Sequence, residues 1–324
     1  MLNFQDLPDE LILKIFGYSE IKDIIIYGQV SRRLRRISHD GRLWVTANLV
    51  MKIVKSELLE MILSKGCKIL NISYSTIVGS LSLNIKSQVR ALDLSQSAWC
   101  DPGPNYTENI GVFEELLFLC CSLNQLKMEG INLTPKMVAS ICKNGKTLQV
   151  LHLNHSYVGE YIMHHGNFQS IIKSCQELKE VSLLDINDNK GLWDLEFLLK
   201  NISPNVVKLN LSCNYFEDGH VKILLSRCNK IKVLILEATF MTNDSLKTIR
   251  QYLNFTLEEL SMTYYGSKWL SFNGFLELKS MPKLKVMNLY FEKKNNEEIQ
   301  NLRQQLPHLV IRTNFDEFIY EELD

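Results

Sequence analysis

The chain has 324 residues, of which 46% are hydrophobic and 22% charged, a composition typical of a well-packed soluble protein. This length suffices for two domains or for one elongated repeat array. The formal net charge is zero, with 36 basic and 36 acidic side chains. Proteins that bind the phosphate backbone of nucleic acids show a basic excess, so the balance argues against a nucleic-acid partner. No apolar run approaches the roughly 18 residues that a membrane span needs.

Eight cysteines are present, and no two of them have Cys-x-x-Cys spacing. The first residues, MLNFQDLPDE, are acidic and polar, unlike a secretory signal. We therefore expect reduced thiols and a nuclear or cytoplasmic location rather than secretion.

The first predicted unit, residues 1–49, contains three short helices. Pro8 suits the first turn of a helix, and the acidic Asp9 and Glu10 favour the positive end of its dipole. The apolar residues at helical spacing are Leu11, Ile12, Ile15 and Phe16 in the first helix, Ile24, Ile25 and Ile26 in the second, and Val30, Leu34 and Ile37 in the third. A unit this small can hardly fold alone, so these side chains must lie against the rest of the chain, a partner, or both.

Four arginines are crowded into the third predicted helix: Arg32, Arg33, Arg35 and Arg36. We interpret them as the solvated face of that helix. A nuclear localisation signal is the alternative interpretation of such a basic cluster.

A pattern of the form apolar-x-x-apolar-x-apolar recurs ten times from Cys67 to Ile311. Its middle residues are Leu70, Leu92, Leu126, Leu151, Val181, Leu209, Leu234, Leu260, Met287 and Leu309. Leucine-rich repeats recur every 20–29 residues or so, and two wider intervals here contain insertions. We predict an α/β repeat array over residues 50–312, with irregular first repeats, short parallel strands on the concave face and helices outside.

Helical spacing between these strands predicts helices at Phe113–Cys121, Pro135–Cys142, Phe168–Cys175, Leu195–Leu199 and Val221–Cys228. We expect small polar residues after the strands to bond to loop backbone; these are Ser75, Ser97, Ser156, Asn214 and Thr239, with Ile131 and Ile186 as interruptions. Cys120, Cys175 and Cys228 precede strands and are predicted to be small buried packing residues.

Aromatic residues are concentrated near the end of the array, and an acidic tail follows at residues 313–324. The aromatic set is Tyr264, Tyr265, Trp269, Phe272, Phe275, Tyr290, Phe291, Phe315, Phe318 and Tyr320. One interpretation is a terminal core with a cap. The other is an interaction surface, because partly exposed Trp and Tyr side chains are frequent binding hot spots.

The sequence contains no recognisable catalytic or cofactor motif. The histidine pairs are His152-x-x-His155 and His164-His165, and residues three apart on a strand face opposite sides, which disfavours chelation. No cysteine lies at a spacing that would complete a zinc site. Gly-rich phosphate loops and nucleophile elbows are also missing. We therefore expect no metal, no cofactor and no enzyme activity, with a thioester-forming cysteine as the enzymatic alternative.

The N-terminal motif resembles an F-box, the adaptor-binding element of SCF-type ubiquitin ligases. Its carriers are Leu7-Pro8-x-Glu10-Leu11-Ile12-x-x-Ile15-Phe16, Asp23-Ile24, Val30-Ser31-Arg32, Ile37-Ser38 and Leu43-Trp44. Together with the repeats, it is similar to the F-box/leucine-rich-repeat family, whose members are non-catalytic substrate receptors. The resemblance implies a Skp-type adaptor bound by Phe4, Leu7, Pro8, Glu10, Leu11, Ile15, Val30, Leu34 and Trp44, and a cullin scaffold recruited through that adaptor.

Further segments resemble a cell-cycle branch of this family, which targets cyclin-dependent kinase inhibitors with a small Cks-type accessory protein. They are Val89-x-x-Leu92-Asp93-Leu94-Ser95-x-Ser97, Leu276-Glu277-Leu278-x-x-Met281-Pro282-x-Leu284-Lys285 and Leu306-Pro307-His308-Leu309-x-Ile311. The resemblance implies a protein substrate held on the repeats for ubiquitination and proteasomal degradation. The predicted substrate contacts are Asp93, Lys127, His152, Asn210, Ser261 and Trp269. An F-box scaffold that works outside ubiquitination is the alternative.

Overall fold

The computed structural model describes residues 4–96, 106–156, 166–185, 195–213, 216–237, 239–264, 269–291 and 296–316. It is a mixed α/β fold in which helices lie outside a parallel sheet, with eleven strands in the described part of the chain. The fold agrees with the predicted class, a three-helix F-box followed by a curved repeat solenoid.

The N-terminal unit contains α1 (Asp9–Phe16), α2 (Ile21–Val30) and α3 (Arg32–Ser38), with 3-10 helices at Phe4–Asp6 and Gly41–Trp44. Gly17 follows the end of α1, as its position predicts. Val30 ends α2 instead of belonging to α3, which corrects the prediction. The reason is Ser31, which is extended and caps α3 by accepting a hydrogen bond from the Leu34 backbone N–H at 3.1 Å.

The strands of the array are short and parallel. In chain order they are β1 (Thr46–Asn48), β2 (Ile53–Lys55), β3 (Ile69–Asn71), β4 (Thr76–Val78), β5 (Ala91–Asp93), β6 (Gln125–Lys127), β7 (Val150–His152), β8 (Glu180–Ser182), β9 (Lys208–Asn210), β10 (Val233–Leu236), β11 (Glu259–Tyr264), β12 (Val286–Phe291) and β13 (Val310–Thr313). Strands β2 and β4 pair with each other, and the rest form the main sheet in chain order. Each repeat therefore pairs with its sequence neighbours, as a solenoid requires.

In nine of the ten predicted strands the middle residue of the sequence pattern lies in the strand and pairs with its counterpart on the neighbouring strand, and the two ends of the sheet differ from the prediction. At the last strand Ile311, not Leu309, pairs with Met287. Both side chains are apolar and buried, so the sequence pattern alone could not choose between them. At the other end β1, centred on Ala47, pairs with β3 and was not predicted. Its signal is the same pattern, Trp44-x-x-Ala47-x-Leu49.

Helices connect the strands on the outer side. They are α4 (Ser56–Ser64), α5 (Tyr106–Leu119), α6 (Pro135–Lys143), α7 (Gly166–Ser174), α8 (Leu195–Asn201), α9 (Asp218–Arg227), α10 (Asn243–Leu253), α11 (Phe272–Leu276) and α12 (Asn296–Gln305), with a 3-10 turn at Glu277–Ser280. All five predicted helices are present. Their apolar sides and the strand leucines form one continuous buried core along the array.

The buried cysteines are packing residues, as predicted. Cys120, Cys175 and Cys228 have no exposed surface. Burial raises the pKa of the Cys120 and Cys175 thiols to about 12 and that of Cys228 to about 11. Such thiols stay protonated at neutral pH and are poor nucleophiles.

Among the described residues, the loops that follow six of the strands share one backbone geometry. A left-handed residue stands three positions after the strand at Met51, Tyr74, Gly130, His155, Asp185 and Cys213. The next residue holds the loop to the preceding repeat: Ser75 Oγ donates to the Leu49 carbonyl at 2.6 Å, and Ser156 Oγ to that of Met128 at 2.7 Å. Thr239 instead bonds within its own repeat, and Ile131 is buried. Ser97, Ile186 and Asn214 lie outside the described residues.

Candidate functional site

The N-terminal unit has a small core of its own. Ile12, Phe16 and Ile37 are buried together, and the Phe16 and Tyr27 rings lie 4.7 Å apart between centroids. The partly buried residues around this core are Leu7, Leu13, Tyr27, Leu34 and Leu43. The three helices are thus held to one another by one face of α1.

A second set of apolar side chains joins this unit to the repeats. Ile21, Ile24 and Trp44 belong to the core of the array, and Leu43 packs against both cores. The Trp44 indole N–H donates to the Ser38 carbonyl at 2.9 Å, so the only polar group of this large buried side chain has a hydrogen-bond partner. The sequence analysis left open the rest of the chain, a partner, or both as support for this unit, and the structure shows packing against the array.

Arginines of α3 tie the helices together from outside. Asp9 on α1 pairs with Arg33 at 2.7 Å and also with Arg36. Arg33 additionally donates to the Leu7 carbonyl at 2.6 Å, and Arg35 donates to that of Gly28 on α2 at 3.1 Å. The hydrogen bonds from Arg33 and Arg36 lower the pKa of Asp9. The interpretation of these arginines as merely solvated is therefore corrected for three of them, because their long side chains reach across to the neighbouring helices.

The unit leaves an exposed apolar face, which consists of Phe4, Leu11, Ile15, Ile26 and Val30. Leu11 and Ile15 are 48% and 43% exposed and lie one helical turn apart on the side of α1 away from the small core. Ile26 and Val30 are 52% and 68% exposed and are related in the same way on α2. Exposed apolar side chains grouped in this way on two helices are candidates for an interaction site.

Six of the predicted adaptor contacts are exposed: Phe4, Pro8, Glu10, Leu11, Ile15 and Val30. The other three are placed differently, since Leu7 and Leu34 are half-buried against the small core and Trp44 is buried. The prediction omitted the exposed Ile26 and Tyr18. The i, i+4 relation of Ile26 to Val30 was the signal that could have identified the former. The adaptor role of each residue stays a prediction.

The centre of the concave face carries a charged network. His152 lies 3.0 Å from Glu180 and 3.4 Å from Glu129, and Lys208 lies 3.0 Å from Glu180. The hydrogen bond with His152 lowers the pKa of Glu129. Burial alone would raise the pKa of Glu180, but Lys208 and His152 outweigh it and lower the pKa. Lys127, in register with His152 on the adjacent strand, belongs to the same surface.

The other predicted concave contacts also make local hydrogen bonds. Asp93 and Asn210 each accept a backbone N–H two residues on, at 3.0 Å from Ser95 and Ser212 respectively. Ser261 is 3% exposed and accepts from the Asn288 side-chain amide at 2.8 Å. Alternation on the strands predicted which face these residues lie on but not these bonds. Their role as substrate contacts stays a prediction.

The aromatic residues near the end of the array divide into two groups. Phe275 and Phe291 are buried, and Phe272 and Phe315 pack against the core. Trp269 and Tyr290 are exposed, and Trp269 makes an edge-to-face contact with Phe240, a residue outside the predicted aromatic set. Tyr265, Phe318 and Tyr320 lie outside the described residues. Both interpretations of the aromatic cluster therefore have residues that fit them.

His152 and His155 contact different acidic residues. His152 lies near Glu129 and Glu180, whereas His155 lies 3.3 Å from Asp185. His164 and His165 lie outside the described residues. Within the described ranges, no group of three or more His, Cys, Asp or Glu side chains could hold a metal ion. In the same ranges no helix has both the length and the apolar character required to cross a membrane.

The N-terminal helical unit thus keeps apolar side chains on its surface and packs against the start of the repeat array. The F-box-like family matches residues 4–49, so the chain carries an F-box-like domain at its N-terminus. Such a domain suggests a general role as a substrate adaptor of SCF-type ligases and implies binding to a Skp-type adaptor. Proteins with this domain are generally non-catalytic adaptor subunits.

Proposed function

We propose that this protein is the substrate-receptor subunit of an SCF-type E3 ubiquitin ligase. The observation that supports this most is the exposed apolar face of the F-box-like domain. Leu11 and Ile15 remain open although Ile12 and Phe16, each the next residue along the same helix, fill the small core. Standard stable interfaces bury about 1,200–2,000 Å² in total, which is within reach of a three-helix unit that docks a Skp-type adaptor. The cullin scaffold is then recruited through the adaptor.

The repeats, which we assign to residues 50–312 between the F-box at 1–49 and the acidic tail at 313–324, hold the protein substrate. A stiff array joined to the F-box by a buried tryptophan fixes the distance between substrate and ligase. Its contribution to ubiquitin transfer is proximity, which raises effective concentration without a catalytic group. The polar concave surface around Lys127, His152 and Lys208 offers charged contacts to the substrate.

We assign the substrate to the cell cycle, as a cyclin-dependent kinase inhibitor recognised with a Cks-type accessory protein. This assignment rests on the sequence segments around Leu92, Leu278 and Leu309. Purified Cks-type protein should co-elute with this chain on gel filtration. Elution of the two as separate species would refute the cell-cycle assignment and leave the receptor role standing.

The receptor role is tested by the double substitution Leu11→Ala and Ile15→Ala. Both side chains are exposed, so unfolding should change little, while adaptor affinity should fall by about a hundredfold as two interface anchors are lost. The matched control is Ile53→Ala with Val78→Ala, an exposed apolar pair on the two-stranded sheet. Affinity is measured by calorimetry with purified adaptor and stability by thermal unfolding.

Unchanged adaptor affinity in the Leu11/Ile15 variant would overturn the docking proposal. Reconstitution with cullin and E2 separates the receptor from a scaffold that works outside ubiquitination. The receptor should bring cullin and ubiquitin-transfer activity to a bound partner, whereas a scaffold would bind the adaptor without recruiting cullin. Ubiquitin transfer by the isolated chain would instead establish an enzyme.

A further inference from the structure

At the C-terminal ends of strands β10, β11 and β12, neighbouring residues form a row whose side chains face outward. Leu236, Met262 and Leu289 are in register and buried, and Thr263 pairs with Tyr290. Glu237 follows Leu236 directly, so it takes the corresponding place on the first of the three strands. Because successive side chains point to opposite faces, the residues after the buried row face outward. Neighbouring strands lie about 4.8 Å apart, which places Glu237 about 10 Å from Tyr290 along the row.

Two further aromatic rings lie in the loops at the same ends of these strands. Phe240 and Trp269, in the loops after β10 and β11, meet edge to face with centroids 6.3 Å apart. They are 48% and 44% exposed, and Tyr290 is 37% exposed. Three aromatic side chains are therefore exposed at the C-terminal ends of neighbouring strands, and such side chains are frequent binding hot spots.

The side chain of Glu237 is partly buried. Its backbone N–H donates to Ser212 Oγ at 2.9 Å, but within the described residues its side chain makes no hydrogen bond or ion pair. By contrast Glu180 pairs with Lys208, and Glu258 with Lys232, at 3.0 Å each. Burial raises the pKa of the Glu237 carboxyl. A partly desolvated acid without a partner is costly, and a cation would relieve that cost.

The negative charge of Glu237 affects titratable groups on both neighbouring sides, Tyr290 and Cys213. Burial together with that charge raises the pKa of Tyr290. Burial, with the charges of Asp185 and Glu237, raises the pKa of Cys213 on the preceding repeat. The acid therefore lies within electrostatic reach of the aromatic ring at the far end of the row.

We infer that Glu237, Phe240, Trp269 and Tyr290 form a binding site for a cationic side chain, an arginine of the protein substrate. A guanidinium group presents planar N–H donors to a carboxylate and can stack on aromatic faces at the same time. An acidic ligand would be repelled by Glu237, and an apolar ligand would bury the carboxylate without pairing it. Only the word substrate rests on the proposed receptor function, since the site itself is defined by its own residues.

The test uses the full chain and a dye-labelled peptide of glycine and serine with two arginines and blocked ends. Matched peptides replace both arginines with lysine or with neutral citrulline. We expect the arginine peptide to bind most tightly, the lysine peptide more weakly, and the citrulline peptide at least about tenfold more weakly than arginine. Fluorescence anisotropy gives each dissociation constant.

Substitutions separate this site from general charge attraction. Glu237→Gln should weaken arginine-peptide binding by about tenfold, and Trp269→Leu should also weaken it. Glu258→Gln removes the same charge from the opposite edge of the same sheet and should change binding by less than about twofold. Thermal unfolding checks that each variant is folded.

Equal binding of arginine and citrulline peptides, or equal loss of affinity in Glu237→Gln and Glu258→Gln, would overturn the inference. Adaptor binding by the same variants is measured in parallel and should match that of the wild-type chain. If the chain does not bind the arginine peptide selectively but still binds the adaptor, only the proposed arginine site is refuted. If the chain binds the arginine peptide but lacks the receptor role, only the proposed function is refuted.

Discussion

Leu11 in the N-terminal unit is 48% exposed, whereas Leu209 in the middle of the repeat array is completely buried. The two residues belong to similarly apolar segments but differ in what covers them. Each repeat has a neighbour on either side, so its strand and helix leucines are covered by the chain itself. Helix α1 carries more apolar side chains than the small core covers: Ile12 and Phe16 are buried and Leu13 is partly buried, while Leu11 and Ile15 are exposed. The remaining apolar surface is open to a second molecule.

The largest expected difference follows from making one substitution in both regions. Leu209→Ala should lower the free energy of unfolding by about 2–5 kcal/mol, because it opens a cavity in the continuous core. Leu11→Ala should change it by no more than about 0.5 kcal/mol, since the side chain is largely in solvent. Urea unfolding followed by circular dichroism measures both values.

The two substitutions should affect adaptor affinity in the opposite order. The Leu11→Ala variant should lose about 2 kcal/mol of binding free energy, and the Leu209→Ala variant should bind the adaptor normally at a temperature where it is folded. Equal destabilisation by the two substitutions would mean that α1 is packed like the array, and the contrast between the regions would be wrong.

Alanine substitutions at two glycines are expected to change stability in opposite directions. A Cβ at Gly28, in α2, would stand 2.5 Å from Ser38 Oγ in α3, whereas one at Gly111 in α5 would meet nothing within 4 Å. Gly28→Ala should therefore destabilise by about 1–3 kcal/mol through overpacking. Gly111→Ala should stabilise by about 0.5–1 kcal/mol because it restricts the unfolded chain. Thermal unfolding measures both changes.

The contact with Ser38 provides the control for Gly28. Adding Ser38→Ala to Gly28→Ala removes the crowded hydroxyl oxygen and should restore part of the lost stability. If Gly28→Ala were neutral, or if Ser38→Ala gave no recovery, the close packing of α2 on α3 would not be the reason for the glycine.

The array was the more predictable region because its physics is repetitive. One pattern predicted the register of nine strands. The same spacing predicted the buried cysteines and five helices. It failed at the ends, where a repeat has only one neighbour: β1 was not predicted, and the alternation at Leu309 and Ile311 allowed two registers. Ends of solenoids are atypical because they must also act as caps.

The candidate sites were less predictable. In the N-terminal unit the motif identified the domain, but it did not separate the exposed Leu11 from the half-buried Leu34, because both are leucines at helical spacing. On the array, Trp269 was predicted but Glu237 and Phe240 were not. They come together only through the register of β10 with β11 and through a loop contact. Long-range pairing of this kind leaves no local signal in the sequence.

The smallest expected effect concerns the segment that joins the two regions. The Asp40 carboxylate caps the 3-10 helix leading to Trp44, accepting from the Arg42 backbone N–H at 2.9 Å and from its guanidinium at 2.8 Å and 2.9 Å. These bonds lower the pKa of Asp40 from 3.8 to about 2. Because the folded pKa is the lower one, the stabilising contribution is complete above pH 3.8 and is lost as the pH falls towards 2.

Asp40→Ala removes both the cap and the ion pair and should cost about 1 kcal/mol at neutral pH. Asp40→Asn keeps a capping oxygen and should cost less, since exposed ion pairs contribute little. Thermal unfolding at pH values from 6 to 2 should show a weaker acid dependence in both variants than in the wild-type chain. An unchanged acid dependence would mean that other carboxylates control acid stability. Loss confined to the N-terminal unit, seen as faster proteolysis near Trp44 at low pH, would show that the two regions separate there first.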